Sequence, residues 1–186
     1  FTIVTVCTGD ICRSPLSEAL LRAVLDGPIA RVHSAGTHAL IGSGMPAENV
    51  RIATNLGIPH SRSHRARQLT IEHLDASDLI LALSREHRRF IVDLHPRVHR
   101  RTFTLRGFAR LADAVPPDSL RSSQAETPVD DWRRAVEAAA QLRGTLPSPQ
   151  SPEDNDVVDP FRQEAAVYEV SAQQQIPAVA STIALL

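Results

Sequence analysis

The chain opens Thr2-Ile3-Val4-Thr5-Val6-Cys7-Thr8-Gly9-Asp10-Ile11-Cys12-Arg13-Ser14-Pro15, and the changes of character along this stretch decide the fold. Residues 2–6 are strand formers. They run into a turn marked by Gly9 and by Asp10, a residue type that tolerates the left-handed backbone region. Pro15 then stands where a helix begins. Cys7 sits at the end of the strand, and Arg13 follows after five residues. The successive N–H groups of such a turn can converge on one point, and the helix N-terminus adds positive dipole there. A guanidinium grips two oxygens of an oxyanion at once, which an ammonium cannot do with the same geometry. Thiols held in such a field ionise readily, and the thiolate is the nucleophile. The pattern points to chemistry on a phosphate monoester or a similar tetrahedral oxyanion, with Thr8, Gly9, Asp10, Ile11, Cys12 and Ser14 lining the turn.

Outward from this unit, strand-like and helical stretches alternate. Further strands are predicted at 30–34, 79–83 and 101–104, and helices at about 15–25, 46–56 and 85–94. Asp26-Gly27-Pro28 and Gly57-Ile58-Pro59 punctuate the first two helices. Such alternation predicts βαβ units and a parallel sheet, with ligands bound at the carboxyl ends of its strands, where Cys7 lies. From 114 to 156 the chain is rich in Pro, Ser and acidic residues. One helix is predicted there at about 128–142, containing Trp132, and residues 147–156 read as a mobile linker. A last helix follows from about 163, broken or restarted at Pro177, with Ile176, Val179, Ile183 and Leu186 spaced to pack on the sheet.

With 186 residues the chain is sized for one domain, and 20 basic against 21 acidic side chains give no footprint for a polyanion such as nucleic acid. The arginine clusters at 62–67, 85–89 and 97–101 read as solvated faces. Two cysteines make no disulfide framework and fit a reducing cytoplasm. There is no signal peptide or membrane-length apolar run, although the start at Phe1, without Met and already in strand pattern, suggests a trimmed beginning. The pairs His60/His64 and His95/His99 have helical spacing but no third ligand, so no metal and no cofactor is predicted.

With the first turn, the segments Ser34-Ala35-Gly36-Thr37, His64-Arg65-Ala66-Arg67-Gln68-Leu69, Asp78-Leu79-Ile80-Leu81 and Asp159-Pro160-Phe161 occur in order. Together they resemble the low-molecular-weight protein tyrosine phosphatases, in their bacterial form. The resemblance implies a three-layer, Rossmann-like α/β sandwich of four parallel strands with helices on both faces. It also implies a single domain over 1–186, with an insertion at about 114–156. The chemistry implied is metal-free, two-step hydrolysis. Cys7 attacks phosphorus, the turn and Arg13 hold the equatorial oxygens, and Asp159 acts as acid and then as base. Ser14 would hydrogen-bond the thiolate, and Pro160 would stiffen the loop. On spacing alone, a structural role for Asp159, as a turn residue or as the cap of the last helix, is as good a reading as the catalytic one.

The family usually carries Asn where this chain has Asp10, a residue that ties the turn to the positions of Ser14, Ser34 and His64. A carboxylate there repels a bound dianion unless it is paired, with a charged His64 as one candidate, or protonated. Ile11 is bulky where phosphoarginine-directed members carry threonine, which favours phosphotyrosine. Phe161 supplies one aromatic wall, and Leu40 or Ile41 faces it. Arg162 stands where a second aromatic often occurs, which suits acidic flanking residues. Cys12 could pair reversibly with Cys7, or be a buried thiol. The partners implied are phosphotyrosine proteins, a bacterial tyrosine kinase among them, and phosphate or another oxyanion in the turn, with no nucleic acid and no membrane. Two other functions stay open: an arsenate reductase served by a small external thiol, and a non-catalytic phosphate-binding or phosphocarrier domain. A thioredoxin-coupled reductase needs further cysteines, and none follows Cys12.

Overall fold

The computed structural model describes residues 1–25, 27–58, 63–120 and 127–186. Four strands, β1 (Thr2–Cys7), β2 (Arg31–Gly36), β3 (Leu79–Ala82) and β4 (Thr102–Thr104), form one sheet in the order β2-β1-β3-β4. Every pairing is parallel, with Cys7 opposite Gly36 and Val6 opposite Ala82. The helices are α1 (Arg13–Leu25), α2 (Ala47–Asn55), α3 (Ile71–Asp75), α4 (Arg85–Leu94), α5 (Leu105–Ala112), α6 (Pro117–Leu120), α7 (Pro128–Gln141) and α8 (Ala165–Leu185). The expected three-layer α/β sandwich is the one observed.

Both faces of the central strands are covered, so β1 and β3 are near-continuous apolar runs. Ile3, Leu79, Leu81 and Phe103 point to one side, where α1, α5 and α8 supply Leu21, Phe108 and Val179. Val4, Val6, Ile80 and Ala82 point to the other and meet Leu74 of α3 and Ile91 of α4. A third cluster lies beneath the first turn, where Ile11, Cys12 and Leu16 pack on Ile52, Ala66 and Tyr168. At the carboxyl edge, a Cβ on Gly36 would stand 2.5 Å from the carbonyl oxygen of Thr8 and 3.0 Å from Ala39 Cα. Only a residue without a side chain lets β2 run alongside the turn.

Several expectations are corrected. Helix α8 continues through Pro177 without a break, and it packs against α1 and α5 on one face of the sheet. Residues 147–156 form a tethered connection, not a free linker. Arg110 Nη2 donates to Pro147 O at 2.6 Å, and Pro152–Asn155 is a 3-10 turn capped by Ser151. Two of the arginine clusters each supply a staple: Arg88 Nε donates to Thr102 O at 3.1 Å, and Arg101 Nη2 to Leu74 O at 3.3 Å. Trp132 meets Phe1 edge-on, with ring centroids 5.4 Å apart, at the amino end of β1. Helix α7 therefore lies away from the carboxyl edge and does not cover the turn. Its other end is fastened by Arg143, whose guanidinium lies 3.7 Å from the Phe103 ring centre and donates to His99 O and Thr102 O at 2.9 and 2.7 Å.

Asp26, Pro59, His60 and Arg62, which entered the sequence reading, lie outside the described residues. Among the described residues, no helix is long and apolar enough to cross a membrane, and no group of three or more His, Cys, Asp or Glu could hold a metal ion.

Candidate active site

The turn between β1 and α1 is held from behind by its carbonyls. The oxygens of Cys7, Thr8 and Gly9 accept from the N–H groups of Thr37, His38 and Leu40 at 2.9, 2.9 and 3.0 Å. Asp10 O accepts from His64 Nε2 at 2.6 Å, and Cys12 O from Asn49 Nδ2 at 2.8 Å. With the carbonyls drawn outward, the N–H groups of the turn are left to its concave side, as an anion cradle requires. Asp10 sits in the left-handed region at φ 53°, where Asp is among the non-glycine residues that fit.

Cys7 is buried at the floor, with its Sγ 3.0 Å from Ser14 Oγ. Ser14 Oγ in turn donates to Asp10 Oδ1 at 2.9 Å. The other carboxyl oxygen, Oδ2, accepts from Arg67 N at 2.9 Å and stands 3.8 Å from His64 Nε2. Burial pushes the Asp10 carboxyl above the usual range, against the opposing pull of Ser34, Arg67 N–H, His64 and Ser14. Ser34 gives its one proton to Glu18 Oε2 at 2.7 Å, so it lies between two buried carboxyls and serves one.

Arg13 bridges the turn to the far end of the chain. Its Nη1 donates to Val157 O at 3.3 Å and its Nη2 to Asp159 Oδ2 at 2.7 Å. Arg13 Nε is buried and donates to no protein group among the described residues. A buried guanidinium N–H without an acceptor is costly, and an oxyanion in the cradle supplies one. Asp159 does not cap α8, which begins after Glu164. Its Oδ1 accepts from Phe161 N at 3.1 Å in a local turn. The loop reaches this position because Val157 N donates to Leu83 O at 2.9 Å, just past the end of β3. Arg85 N and Nε, at the start of α4, also hold both oxygens of Asp156, at 2.7 and 3.1 Å.

Cys7, Thr8, Gly9, Ile11, Cys12, Arg13, Leu40, Asp159 and Phe161 line one cavity of about 160 Å³, so the sequence-derived candidates converge. Asp10, Ser14, Ser34 and His64 lie behind it, while Ile41 is exposed and not among its lining residues. His38 lines the cavity too, and no motif announced it. His87 was also missed. Its ring is within 2.8 Å of Thr8 Oγ1 and 2.9 Å of Ser84 Oγ, and burial, helped by Arg13, pushes its pKa down to about 4. Asn49 had no spacing signal either. Cys7 and Cys12 are both free thiols. Burial, with Cys7 and Asp159 nearby, pushes Cys12 up to about 12, which suits a buried thiol better than a second reactive one.

The sequence profile described as low molecular weight phosphotyrosine protein phosphatase matches residues 2–143. The chain is 38% identical over 123 residues to the low molecular weight protein-tyrosine-phosphatase Etp of Escherichia coli K12, covering 66% of this chain and 80% of that one. It is 36% identical over 135 residues to a protein-arginine-phosphatase of Geobacillus stearothermophilus, covering 73% of this chain and 86% of the relative. Among solved structures, a low molecular weight protein tyrosine phosphatase from T. tengcongensis superposes with a TM-score of 0.70 at 25% identity, covering 100% of this chain and 99% of the other.

Proposed function

The chain belongs to the low molecular weight protein-tyrosine-phosphatases, a family of phosphoric monoester hydrolases, and on that premise we propose that it cleaves phosphotyrosine in proteins with Cys7, Arg13 and Asp159 as its reacting set. The observation that carries this is the contact between Arg13 and Asp159, which brings residues 146 positions apart together in the cavity that Cys7 lines. The profile match ends at residue 143, so the place of Asp159 rests on this contact. The same reading takes residues 114–156 as an insertion within one phosphatase domain.

Cys7 Sγ attacks phosphorus as the ester P–O bond breaks. Arg13 turns its donors, including Nε, from Asp159 towards the equatorial oxygens, beside the N–H groups of the turn. Asp159, freed from Arg13, takes up a proton from solvent and gives it to the departing phenolate. It then takes a proton from the water that attacks the phosphocysteine, and the S–P bond breaks to return the thiolate. With Arg13 side-chain exposure at 7% and Asp159 at 50%, the binding group is buried and the proton carrier reaches solvent, as the second step needs. Ile11, Leu40 and Phe161 give the cavity apolar walls suited to an aryl ring. One relative and two solved neighbours are named arginine phosphatases, which makes phosphoarginine the second substrate to compare.

The test is steady-state hydrolysis of phenyl phosphate and 4-nitrophenyl phosphate by wild type, Cys7→Ser and Asp159→Asn. Cys7→Ser should be inactive. Asp159→Asn should lose roughly 10²–10³-fold on phenyl phosphate and clearly less on the nitrophenyl ester, whose phenolate leaves without a proton. Turnover that survives Cys7→Ser, or equal loss on both esters, would contradict the assignment. A phosphoarginine peptide cleaved in preference to a phosphotyrosine peptide would overturn the substrate.

A further inference from the structure

Ser14 stands between two groups that both need its proton. Its Oγ is 3.0 Å from Cys7 Sγ and 2.9 Å from Asp10 Oδ1. A serine hydroxyl has one hydrogen to give, whereas a thiolate and a carboxylate can only accept. With Cys7 and Asp10 both ionised, one anion faces an oxygen lone pair inside a site where Asp10 and Ser14 are wholly buried. The three groups satisfy one another in only two ways, each holding one further proton. In the first, the Cys7 S–H donates to Ser14 Oγ and the Ser14 O–H donates to Asp10 Oδ1. In the second, an Asp10 Oδ1–H donates to Ser14 Oγ and the Ser14 O–H donates to the Cys7 thiolate.

We propose that Asp10 is a positioning residue for the nucleophile: through Ser14 it takes up the proton of Cys7, so that the reactive enzyme carries a thiolate and a neutral Asp10. The step is balanced within the protein. The S–H bond of Cys7 breaks as an O–H bond to Ser14 forms, and the former Ser14 proton moves to Asp10 Oδ1. The negative charge passes from carboxylate to sulfur, and solvent gains or loses nothing. A neutral Asp10 also removes a like charge from behind a bound phosphate dianion.

The surroundings leave Oδ1 as the oxygen that takes the proton. Oδ2 is occupied by Arg67 N–H and faces His64. The titratable and charged groups around the Asp10 carboxyl are Cys7 at the end of β1, reached through Ser14, and Glu18 of α1, reached through Ser34. His64 and Arg67 face it from the loop after α2, the latter through its backbone. A protonated His64 and the Arg67 N–H favour the carboxylate, burial favours the acid, and burial is the larger influence. As pH rises, the shared proton is finally lost and Ser14 must choose between two anions. Asparagine at position 10 would imitate the neutral acid at every pH, with its amide N–H₂ towards Ser14 and its oxygen towards Arg67 N–H.

The experiment is the pH dependence of Cys7 alkylation by iodoacetamide in wild type, Asp10→Asn, Ser14→Ala and the double variant, with thiolate absorbance read in parallel. This rests on Cys7 being the nucleophile, but alkylation reads the sulfur without turnover. Failure here is therefore separate from failure of the phosphatase reading, which would show as turnover surviving Cys7→Ser. Wild type should form thiolate in two steps, the first as the pair gives up one proton and the second as the shared proton leaves, whereas Asp10→Asn, neutral at every pH, should form it in a single step and alkylate up to about twofold faster between the two wild-type steps. In the Ser14→Ala background both forms should titrate in a single step. An infrared difference between wild type and Asp10→Asn should show the carbonyl stretch of a protonated carboxylic acid while the thiolate is present. An Asp10→Asn curve that keeps two steps, or whose midpoint lies above both wild-type steps, overturns the proposal. So does a two-step curve that persists without Ser14, which would mean charge repulsion alone, or the absence of the acid stretch.

Discussion

Gly36→Ala tests whether the cradle is held in place by the strand beside it. The backbone of Gly36 lies outside the positive-φ region, so alanine is acceptable there on conformational grounds and the objection is space. The new methyl carbon would sit 2.5 Å from Thr8 O, where ordinary contact begins at 3.4 Å, so the two must part by about 0.9 Å. The obstacle is backbone on both sides, and Thr8 O is also the acceptor of His38 N at 2.9 Å. Overpacking against rigid neighbours costs about 3 kcal/mol at the upper end, and the loss of glycine freedom in the unfolded chain returns roughly 0.4–1 kcal/mol. The net of about 2 kcal/mol lowers the thermal midpoint by roughly 4–8 °C in a chain of this size. Displacing the cradle by nearly an ångström should cut kcat/KM on an aryl phosphate by about 10²-fold. Gly9→Ala is the stability control. Its Cβ would meet Ile11 Cγ1 at an ordinary 3.5 Å, and its midpoint should move by less than about 2 °C. Calorimetry and steady-state kinetics on both variants decide the matter. A Gly36→Ala enzyme within threefold of wild-type kcat/KM would show that the turn is not positioned by β2.

Two other outcomes are expected. Arg143→Ala removes the guanidinium over Phe103 and two bonds, to Thr102 O of the edge strand and to His99 O in the turn before it; it should cost about 2 kcal/mol of stability and leave aryl phosphate turnover within twofold, and an unchanged urea midpoint would refute its role as a staple. His87 and His33 are each pushed down to about 4, chiefly by burial. The unfolded chain therefore binds protons that the folded one does not, and stability present above pH 6.5 is lost as pH falls towards 4, by roughly 2 kcal/mol per histidine at pH 5 as an upper figure; denaturant midpoints that stay flat from pH 7 to 5 would refute this.

How far the chain could be read in advance follows from where each signal lies. The unit β1–turn–α1 was legible because apolar strand, Gly9, Asp10 and Pro15 follow one another directly, and the fold class came from that pattern repeated. Helices α3 and α5 were not anticipated, since α3 is barely more than one turn long and α5 follows β4 with no residue between them. The tethering of residues 147–156 was invisible because it depends on Arg85, Arg106 and Arg110, which are distant in sequence. In the site, Cys7 and Arg13 were fixed by local spacing, whereas Asp159 needed the folded chain to bring it to Arg13. His38, Asn49 and His87 carry no pattern of their own, because what they touch is backbone, hydroxyls or a neighbouring ring. The need for glycine at 36 is likewise a property of a strand lying beside a turn.

The bond from Val157 N to Leu83 O, with Arg85 gripping Asp156, has a consequence for how this chain can change. The chain after Val115 returns to the core with Val136 and Ala139 of α7 and is moored again two residues before Asp159. Those last moorings, and not the length of chain that precedes them, set the address of the carboxyl. Residues can therefore be added between Arg143 and Pro147 while the chemistry stays in register, provided α7 and the moorings at Asp156 and Val157 are kept.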